Sequence, residues 1–217
     1  HAWDESAQLH KDTDNWKNLL RSVADPGFSR LDPTITALLQ DVGVAGKDVV
    51  QLCCNNGRES LSLFALGASR VVGVDQSAAF LEQARELASR SPHAPTFIEA
   101  DIHHLPEELH EHFDVALITI GVLNWMPDIG EFFQHVARTL KPGGALAAVM
   151  SEGAAVETGT GNWATSASDT NLRNIALCLY LCPPRRRFNA SLATFAKRCD
   201  LLLPILDQNP MSLRTSA

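Results

Sequence analysis

The stretch VVQLCCNNG at residues 49–57 decides the fold, because it is a short apolar run that ends in turn-forming residues. A run of this length is typical of a buried strand, and Asn and Gly accept the positive φ angles of a tight turn. Residues 59–66 follow with helical spacing and end at Gly67. The stretch therefore predicts a strand, a turn and a helix, which is the repeating unit of parallel sheets.

The same alternation continues toward residue 150. Helices are predicted to begin after Ser77 and after Asp128, two side chains that can accept hydrogen bonds from the first helical turn. Apolar, β-rich runs predict four further strands at residues 70–75, 96–101, 113–121 and 145–150. Strands that alternate with helices imply right-handed crossovers. The fold class is therefore α/β, a three-layer Rossmann-like sheet with mostly parallel strands.

The N-terminal side of this core is predicted to be helical. Asp32-Pro33 has the composition of a helix start, and Gly43 that of a helix end. Residues 1–30 are polar with scattered apolar anchors, which suits one or two helices that form a lid. We therefore expect residues 1–150 to form N-terminal lid helices and an α/β core.

The C-terminal side follows the pattern less clearly. Residues 151–170 are rich in Gly, Ala, Ser and Thr, a composition typical of loops, and residues 172–181 are predicted to be a helix. The segment contains no alternating hairpin pattern. We expect residues 151–217 to be an atypical segment of the same domain, irregular or truncated in structure.

Composition narrows the function classes. The chain has 217 residues, with 18 Lys and Arg against 25 Asp and Glu, and its net charge of −7 argues against a nucleic-acid partner. It contains no apolar stretch long enough to span a membrane. The 5 cysteines form no CxxC pairs, so neither a disulfide framework nor a zinc ribbon is indicated. A reducing, cytoplasmic setting is the expectation.

Acidic residues end two of the predicted strands, where open α/β sheets bind their ligands. Asp75 follows Gly57 at the spacing of an acid that accepts hydrogen bonds from ribose hydroxyls. Asp101 is suited to an adenine amino group, and the neighbouring Ile102 to packing on the ring. The alternative is an ordinary turn with solvated acids. The combination favours an adenosine site.

Residues 45–150 resemble the class I S-adenosylmethionine-dependent methyltransferases. The glycine-rich first motif of that family matches residues 49–57, its ribose acid matches Asp75, its adenine-contacting acid matches Asp101, and its turn before strand five matches Lys141-Pro142-Gly143-Gly144. The resemblance implies S-adenosylmethionine as cofactor and in-line methyl transfer to a small-molecule acceptor. From the composition given above, we expect no membrane partner. It implies the following cofactor-binding residues: Gln51, Cys53, Asn55, Asn56, Gly57, Asp75, Gln76, Asp101, Ile102, Ile120 and Val122. Asn124 and Trp125 would contact the acceptor, and no catalytic side chain is assigned.

The sequence departs from the family at several positions. The family usually has an acid where this chain has Gln51, and glycines where it has Cys53 and Asn55. It also closes its sheet with two further strands, of which the last is antiparallel and lies beside strand five. We expect this chain to lack that C-terminal antiparallel hairpin. The exposed sheet edge would then favour a homodimer.

Other functions are weighed against this one. A nicotinamide-dependent oxidoreductase would be expected to have a GxGxxG motif, which is absent after residue 52. A non-catalytic protein that binds an adenosyl cofactor remains an alternative. Four histidines could bind a metal, but none follows the HExxH pattern, so no metal is predicted; one of the first two could instead act as a general base. These histidines are His103, His104, His110 and His112.

Overall fold

The computed structural model describes residues 2–11, 13–151, 174–181 and 211–214. The helices are α1 (Ala2–His10), α2 (Asp14–Ser22), α3 (Pro33–Val42), α4 (Arg58–Ser62), α5 (Ala78–Arg90) and α6 (Ile129–Thr139). The strands are β1 (Asp48–Leu52), β2 (Arg70–Asp75), β3 (Thr96–Glu99), β4 (Phe113–Ile118), β5 (Leu140–Ser151), β6 (Asn174–Leu181) and β7 (Met211–Arg214). They form one sheet in the order β3-β2-β1-β4-β5-β6-β7.

Strands β1 to β5 are parallel, which confirms the predicted α/β sheet. Their apolar runs are explained by burial on both faces of the sheet. Neighbouring residues of β1 point to opposite sides, so that Val49 packs in the core cluster with α3, whereas Val50 packs in the cluster with α6. From β1 to β3 each new strand is added on one side of β1. After β3 the chain crosses back and adds β4 on the other side of β1. The carboxyl ends of β1, β2 and β4 therefore surround a crevice of the kind that binds ligands.

The predicted helix ends are confirmed. The side chains of Asp32, Ser77 and Asp128 each accept a hydrogen bond from a backbone N–H in the first turn of α3, α5 and α6, respectively. Gly43 ends α3 with a φ of 75°. The helix predicted after Gly57 is shorter than expected, because α4 continues as a 3₁₀ helix over Leu63–Leu66.

The predicted turn before strand five is an irregular part of the strand itself. Strand β5 begins at Leu140, which pairs with Phe113, while Val115 pairs with Ala145. The extra residues form a bulge in which Gly143 has a φ of 81°. Lys141 donates from Nζ to Asp114 Oδ1 at 3.1 Å, and this contact joins the starts of two adjacent strands.

The C-terminal region corrects two predictions. Residues 174–181 form strand β6, not a helix, and the expected lack of antiparallel strands is wrong, because β6 pairs antiparallel with β5 and β7 pairs antiparallel with β6. An uninterrupted apolar run has no period that separates helix from strand, which is why the sequence misled. The strand beside β5 is β6, whereas the resemblance places the last strand there. The loop predicted over residues 152–170 lies outside the described residues.

The first two helices pack against α5. Asp4 Oδ1 accepts hydrogen bonds from Ser77 Oγ at 2.7 Å and from the Ala79 backbone at 3.2 Å, and Gln83 Nε2 donates to the Ala7 carbonyl. Helix α2 contributes Trp16 to an apolar cluster with residues of α4 and α5. None of the helices within the described ranges is both long and apolar enough to cross a bilayer.

Gly57→Ala tests how tightly the turn after β1 is packed. A Cβ at Gly57 would lie 2.6 Å from Phe97 Cζ and 2.9 Å from Ala84 Cβ. Gly46 is the matched control, because its φ of 74° resembles the 70° of Gly57 and no atom lies within 4 Å of its added Cβ. We expect Gly46→Ala to lower the free energy of unfolding by about 1 kcal/mol, and Gly57→Ala by about 1–3 kcal/mol more. Urea denaturation measures both, and equal losses would contradict the packing described here.

Candidate functional site

A cavity of about 590 Å³ lies at the carboxyl ends of the first four strands. Its walls come from the loops after β1, β2, β3 and β4, and from Trp3 and His10 of α1. Of the predicted cofactor-binding residues, Gln51 and Gly57 do not border this cavity, whereas the other nine do. The side chain of Asn124 lies outside the described residues, and Trp125 borders the cavity. Four loops that are distant in sequence therefore share one space.

The loop after β1 has three residues in the left-handed conformation. The φ angles are 56° at Cys53, 52° at Asn55 and 70° at Gly57. Asn adopts this conformation more readily than most residues, but a Cys there is uncommon and costs about 1 kcal/mol or more. The loop therefore keeps a backbone conformation that favours glycine, although Cys53 and Asn55 both carry side chains. The conformation of Cys53 was not predicted.

Asp75 fixes this loop against the end of β2. Its Oδ2 accepts a hydrogen bond from the Asn55 backbone at 2.7 Å, and its Oδ1 accepts one from the Ser77 backbone at 2.9 Å. Burial raises the pKa of the Asp75 carboxyl, and these backbone donors counteract part of the rise. Each carboxylate oxygen retains a further lone pair for a ligand hydroxyl.

Asp101 begins the short 3₁₀ helix Ile102–His104. Its Oδ1 accepts a hydrogen bond from the His103 backbone at 2.9 Å, and this contact lowers the pKa of the Asp101 carboxyl. The carboxylate is exposed to the cavity, and the neighbouring Ile102 is buried at its wall. This arrangement of an exposed acceptor beside an apolar side chain was predicted for an adenine ring.

An unpredicted acid occupies the region where the family's acid is missing. Gln51 is fully buried, and its Nε2 donates to Glu59 Oε2 at 3.2 Å, while its Oε1 accepts from Ser60. Glu59 borders the cavity beside Arg58, which contacts it at 3.3 Å. The negative charge that Gln51 cannot supply is thus carried by Glu59, in the first turn of the helix that follows the loop. The sequence offered one signal, an acid in the first turn of α4.

The opposite wall of the cavity is apolar. Trp125 is 67% exposed and Ile120 is 45% exposed, both at the cavity, although large apolar side chains are usually buried. The ring of Trp3 lies 4.9 Å from that of Trp125, nearly perpendicular to it. These rings connect α1 to the loop after β4 across the cavity wall. Exposed apolar groups here are suited to contact with a second ligand.

With its two histidines, His10 and His103, counted as neutral, the cavity carries more acidic than basic groups. Three carboxylates border it, those of Glu59, Asp75 and Asp101, against the one guanidinium of Arg58 among the described lining residues. Cys53 adds no charge, because burial raises the pKa of its thiol to about 12. The electrostatic character of the site therefore favours a ligand with positive charge.

The predicted histidine group is separated in the structure. His103 borders the cavity, whereas His104, His110 and His112 do not line it. His104 lies instead beside Asp101, with 3.5 Å between Nδ1 and Oδ2. Position in the sequence therefore did not indicate which of the four is at the site.

The sequence matches a known family over the region that carries this cavity. The family is described as a methyltransferase domain, and its profile matches residues 49–144. The chain is 34% identical over 107 residues to a trans-aconitate 2-methyltransferase of Escherichia coli O139:H28, which covers 49% of this chain and 40% of that protein. It is 29% identical over 107 residues to a tRNA U34 carboxymethyltransferase of Idiomarina loihiensis, which covers 48% of this chain and 32% of that protein. The match therefore spans 40% or less of the length of these curated relatives.

Solved structures share the fold. A protein of Pyrococcus horikoshii OT3 is 26% identical, with a TM-score of 0.50 over 58% of this chain and 63% of that chain. A Methanococcus maripaludis protein assigned as an S-adenosyl-L-methionine-dependent methyltransferase is 16% identical, with a TM-score of 0.53 over 68% of this chain and 63% of that chain. The cofactor of this family is S-adenosylmethionine. The resemblance to the class I S-adenosylmethionine-dependent methyltransferases is therefore confirmed over residues 49–144, the part of the chain that matches the methyltransferase-domain family.

Proposed function

We propose that this protein binds S-adenosylmethionine in the cavity and transfers its methyl group to a small-molecule acceptor. The observation that carries the proposal is the chemistry of the cavity, in which three carboxylates surround a space of about 590 Å³ beside an apolar wall. The cofactor bears a sulfonium and an ammonium against a single carboxylate, so its charge complements this cavity. When bound, it supplies a methyl group that an acceptor atom takes by direct displacement, with the sulfur keeping the electron pair of the broken bond.

Each part of the cofactor has a proposed partner. Asp75 accepts hydrogen bonds from the ribose hydroxyls, because both of its oxygens are already oriented by backbone donors. Asp101 and Ile102 hold the adenine. Glu59 binds the ammonium group and Arg58 the carboxylate of the methionine portion, since this oppositely charged pair borders the cavity. Asn55, Asn56, Gln76 and Val122 complete the binding surface.

The acceptor is proposed to be a small molecule with an apolar part. Trp125 and Ile120 provide exposed apolar surface at the cavity, and Asn124 neighbours them in the sequence. The three cavity carboxylates would repel a polycarboxylate such as trans-aconitate, so we do not propose trans-aconitate as the acceptor. Catalysis then depends on alignment and on exclusion of water rather than on a nucleophile. Helix α1 acts as a lid, because Trp3 reaches the cavity and Asp4 fastens the helix to α5.

The alternatives conflict with the charge of the site. A nicotinamide dinucleotide carries a diphosphate, which three nearby carboxylates would repel. A tRNA substrate, as named for one relative, would need a basic surface, whereas the whole chain has a net charge of −7. A protein that binds the cofactor without catalysis is separated from an enzyme by the turnover experiment below.

We retain the cytoplasm as the proposed location, since Cys53 and Cys54 are free thiols. The homodimer was predicted from an exposed edge of β5, which β6 covers in the structure, so it stays a prediction without that support, and light scattering tests it.

Asp75→Asn tests the ribose acid. We expect S-adenosylhomocysteine to bind the parent protein in calorimetry, and the variant to bind it about 10- to 100-fold more weakly, because hydrogen bonds to a charged acceptor are lost. Asp41→Asn is the control, since Asp41 is exposed on α3 and does not line the cavity. Absence of binding to the parent, or unchanged affinity in folded Asp75→Asn, would contradict the assignment. Binding of nicotinamide cofactors in its place would support the oxidoreductase alternative.

Glu59→Gln tests whether Glu59 supplies the negative charge that Gln51 lacks. We expect a loss of about tenfold or more in affinity for S-adenosylhomocysteine, because the ammonium loses a charged partner. The variant should bind 5′-methylthioadenosine, which lacks the ammonium and the carboxylate, with an affinity within about twofold of that of the parent. Equal losses for both ligands would indicate that Glu59 supports the loop rather than the ammonium.

Trp125→Ala tests whether the exposed Trp125 ring contacts the methyl acceptor. With a panel of small acceptors, the parent should form S-adenosylhomocysteine, and the variant should show kcat/KM reduced about tenfold or more through loss of aromatic contact. Affinity for S-adenosylhomocysteine should change little. A matching loss of cofactor affinity would move Trp125 to the cofactor site, and turnover with bulk tRNA but with no small acceptor would contradict the proposed acceptor class.

A further inference from the structure

Three side chains that could ligate a metal meet beside the cofactor cavity. His103 comes from the 3₁₀ helix after β3, and Glu131 and His135 lie one turn apart on α6. His103 Nδ1 lies 3.9 Å from Glu131 Oε2, and His135 Nε2 lies 3.7 Å from Glu131 Oε1. One ligand atom from each residue can be chosen so that all three lie within 4.8 Å of one another.

These separations are too long for hydrogen bonds but close to those between metal ligands. A hydrogen bond from an imidazole to a carboxylate is about 2.7–2.9 Å long. Around a zinc ion with bonds of about 2.0–2.1 Å, two tetrahedral ligands lie about 3.4 Å apart, as the bond length and the tetrahedral angle dictate. Since the three ligand atoms lie within 4.8 Å of one another, side-chain shifts of about 1 Å would bring them into coordination.

His103 has a buried atom that needs a partner. Its Nδ1 is inaccessible to water and has no hydrogen-bond partner among the described residues. Buried polar atoms without partners are rare in folded proteins. The rings of His103 and His135 lie perpendicular to each other at 5.6 Å, and each has a nitrogen within 4 Å of a Glu131 oxygen. A cation held by the three residues would satisfy the buried nitrogen and neutralise the carboxylate.

We propose that His103, Glu131 and His135 bind a divalent transition metal, with zinc as the best match. Two imidazoles and one carboxylate are a ligand set that zinc uses, and three protein ligands leave a fourth position for water or another ligand. His103 also borders the cavity, so the metal site adjoins the proposed cofactor site. The proposal reverses the sequence-based prediction of no metal. It goes beyond the proposed methyl transfer and does not depend on it.

The experiment is a zinc titration of the full chain after removal of metals by a chelator. We expect calorimetry to show one saturable site in the parent, with affinity lowered about tenfold or more in Glu131→Gln and in His135→Gln, because a ligand is lost. His104→Gln is the matched control, since its side chain is 83% exposed and lies outside the three-residue cluster. Its zinc affinity should equal that of the parent.

Glu131→Gln makes the test decisive, because this side chain is 57% exposed and its replacement leaves the core intact. Circular dichroism confirms the fold of each variant. No saturable zinc binding to the parent, or equal zinc affinity in parent and Glu131→Gln, would show an ion-pair network without a metal and would overturn the proposal. Cobalt in place of zinc should give a tetrahedral spectrum without thiolate bands, whereas thiolate bands would assign the metal to cysteine and also overturn it. Zinc itself is the probe, so failure of cofactor binding would leave this result standing.

Discussion

The Asp75 carboxylate is the contact on which the site depends. It accepts one backbone hydrogen bond from the loop after β1 and another from the start of α5. A carboxylate with two backbone donors cannot rotate freely, so it fixes the distance between two loops of separate βα units. Asn55, Asn56 and Gln76, which border the cavity, belong to the two segments that this carboxylate holds together. The same acid thus has a structural role and a proposed role in binding ribose.

Close packing beneath the loop enforces its shape. Gly57 and Gly73 both lie against the ring of Phe97, where an added Cβ would come within 2.8 Å of the ring. The turn after β1 and the backbone of β2 therefore lie directly against the Phe97 side chain of β3, and the loop has little freedom to move away from the cavity. The left-handed residues Cys53 and Asn55 are held by this packing and by Asp75. Strain at a site is maintained only when its surroundings determine the backbone in this way.

The site keeps its acidic character although Gln51 stands where the family usually has an acid, because Glu59 carries a negative charge nearby. A buried Gln51 donates to Glu59 rather than carrying charge itself. An isolated charge at the fully buried position of Gln51 would be costly, whereas Glu59 lies at the edge of the cavity where its charge is partly solvated. The exchange keeps a negative group within reach of a cationic ligand. It explains how a chain with an altered first motif keeps the negative charge on which the proposed cofactor site depends.

The sequence by itself determined the five parallel strands, the helix starts and the two acids at the strand ends. These features are encoded locally, in apolar runs, in capping residues such as Ser77 and in the turn at Gly57. It did not distinguish strand from helix over residues 174–181, because an uninterrupted apolar run satisfies both and only pairing with β5 decides. Tertiary structure alone brought Glu59 to Gln51 and His103 to α6, since such contacts depend on how elements pack and leave no periodic signal in the chain.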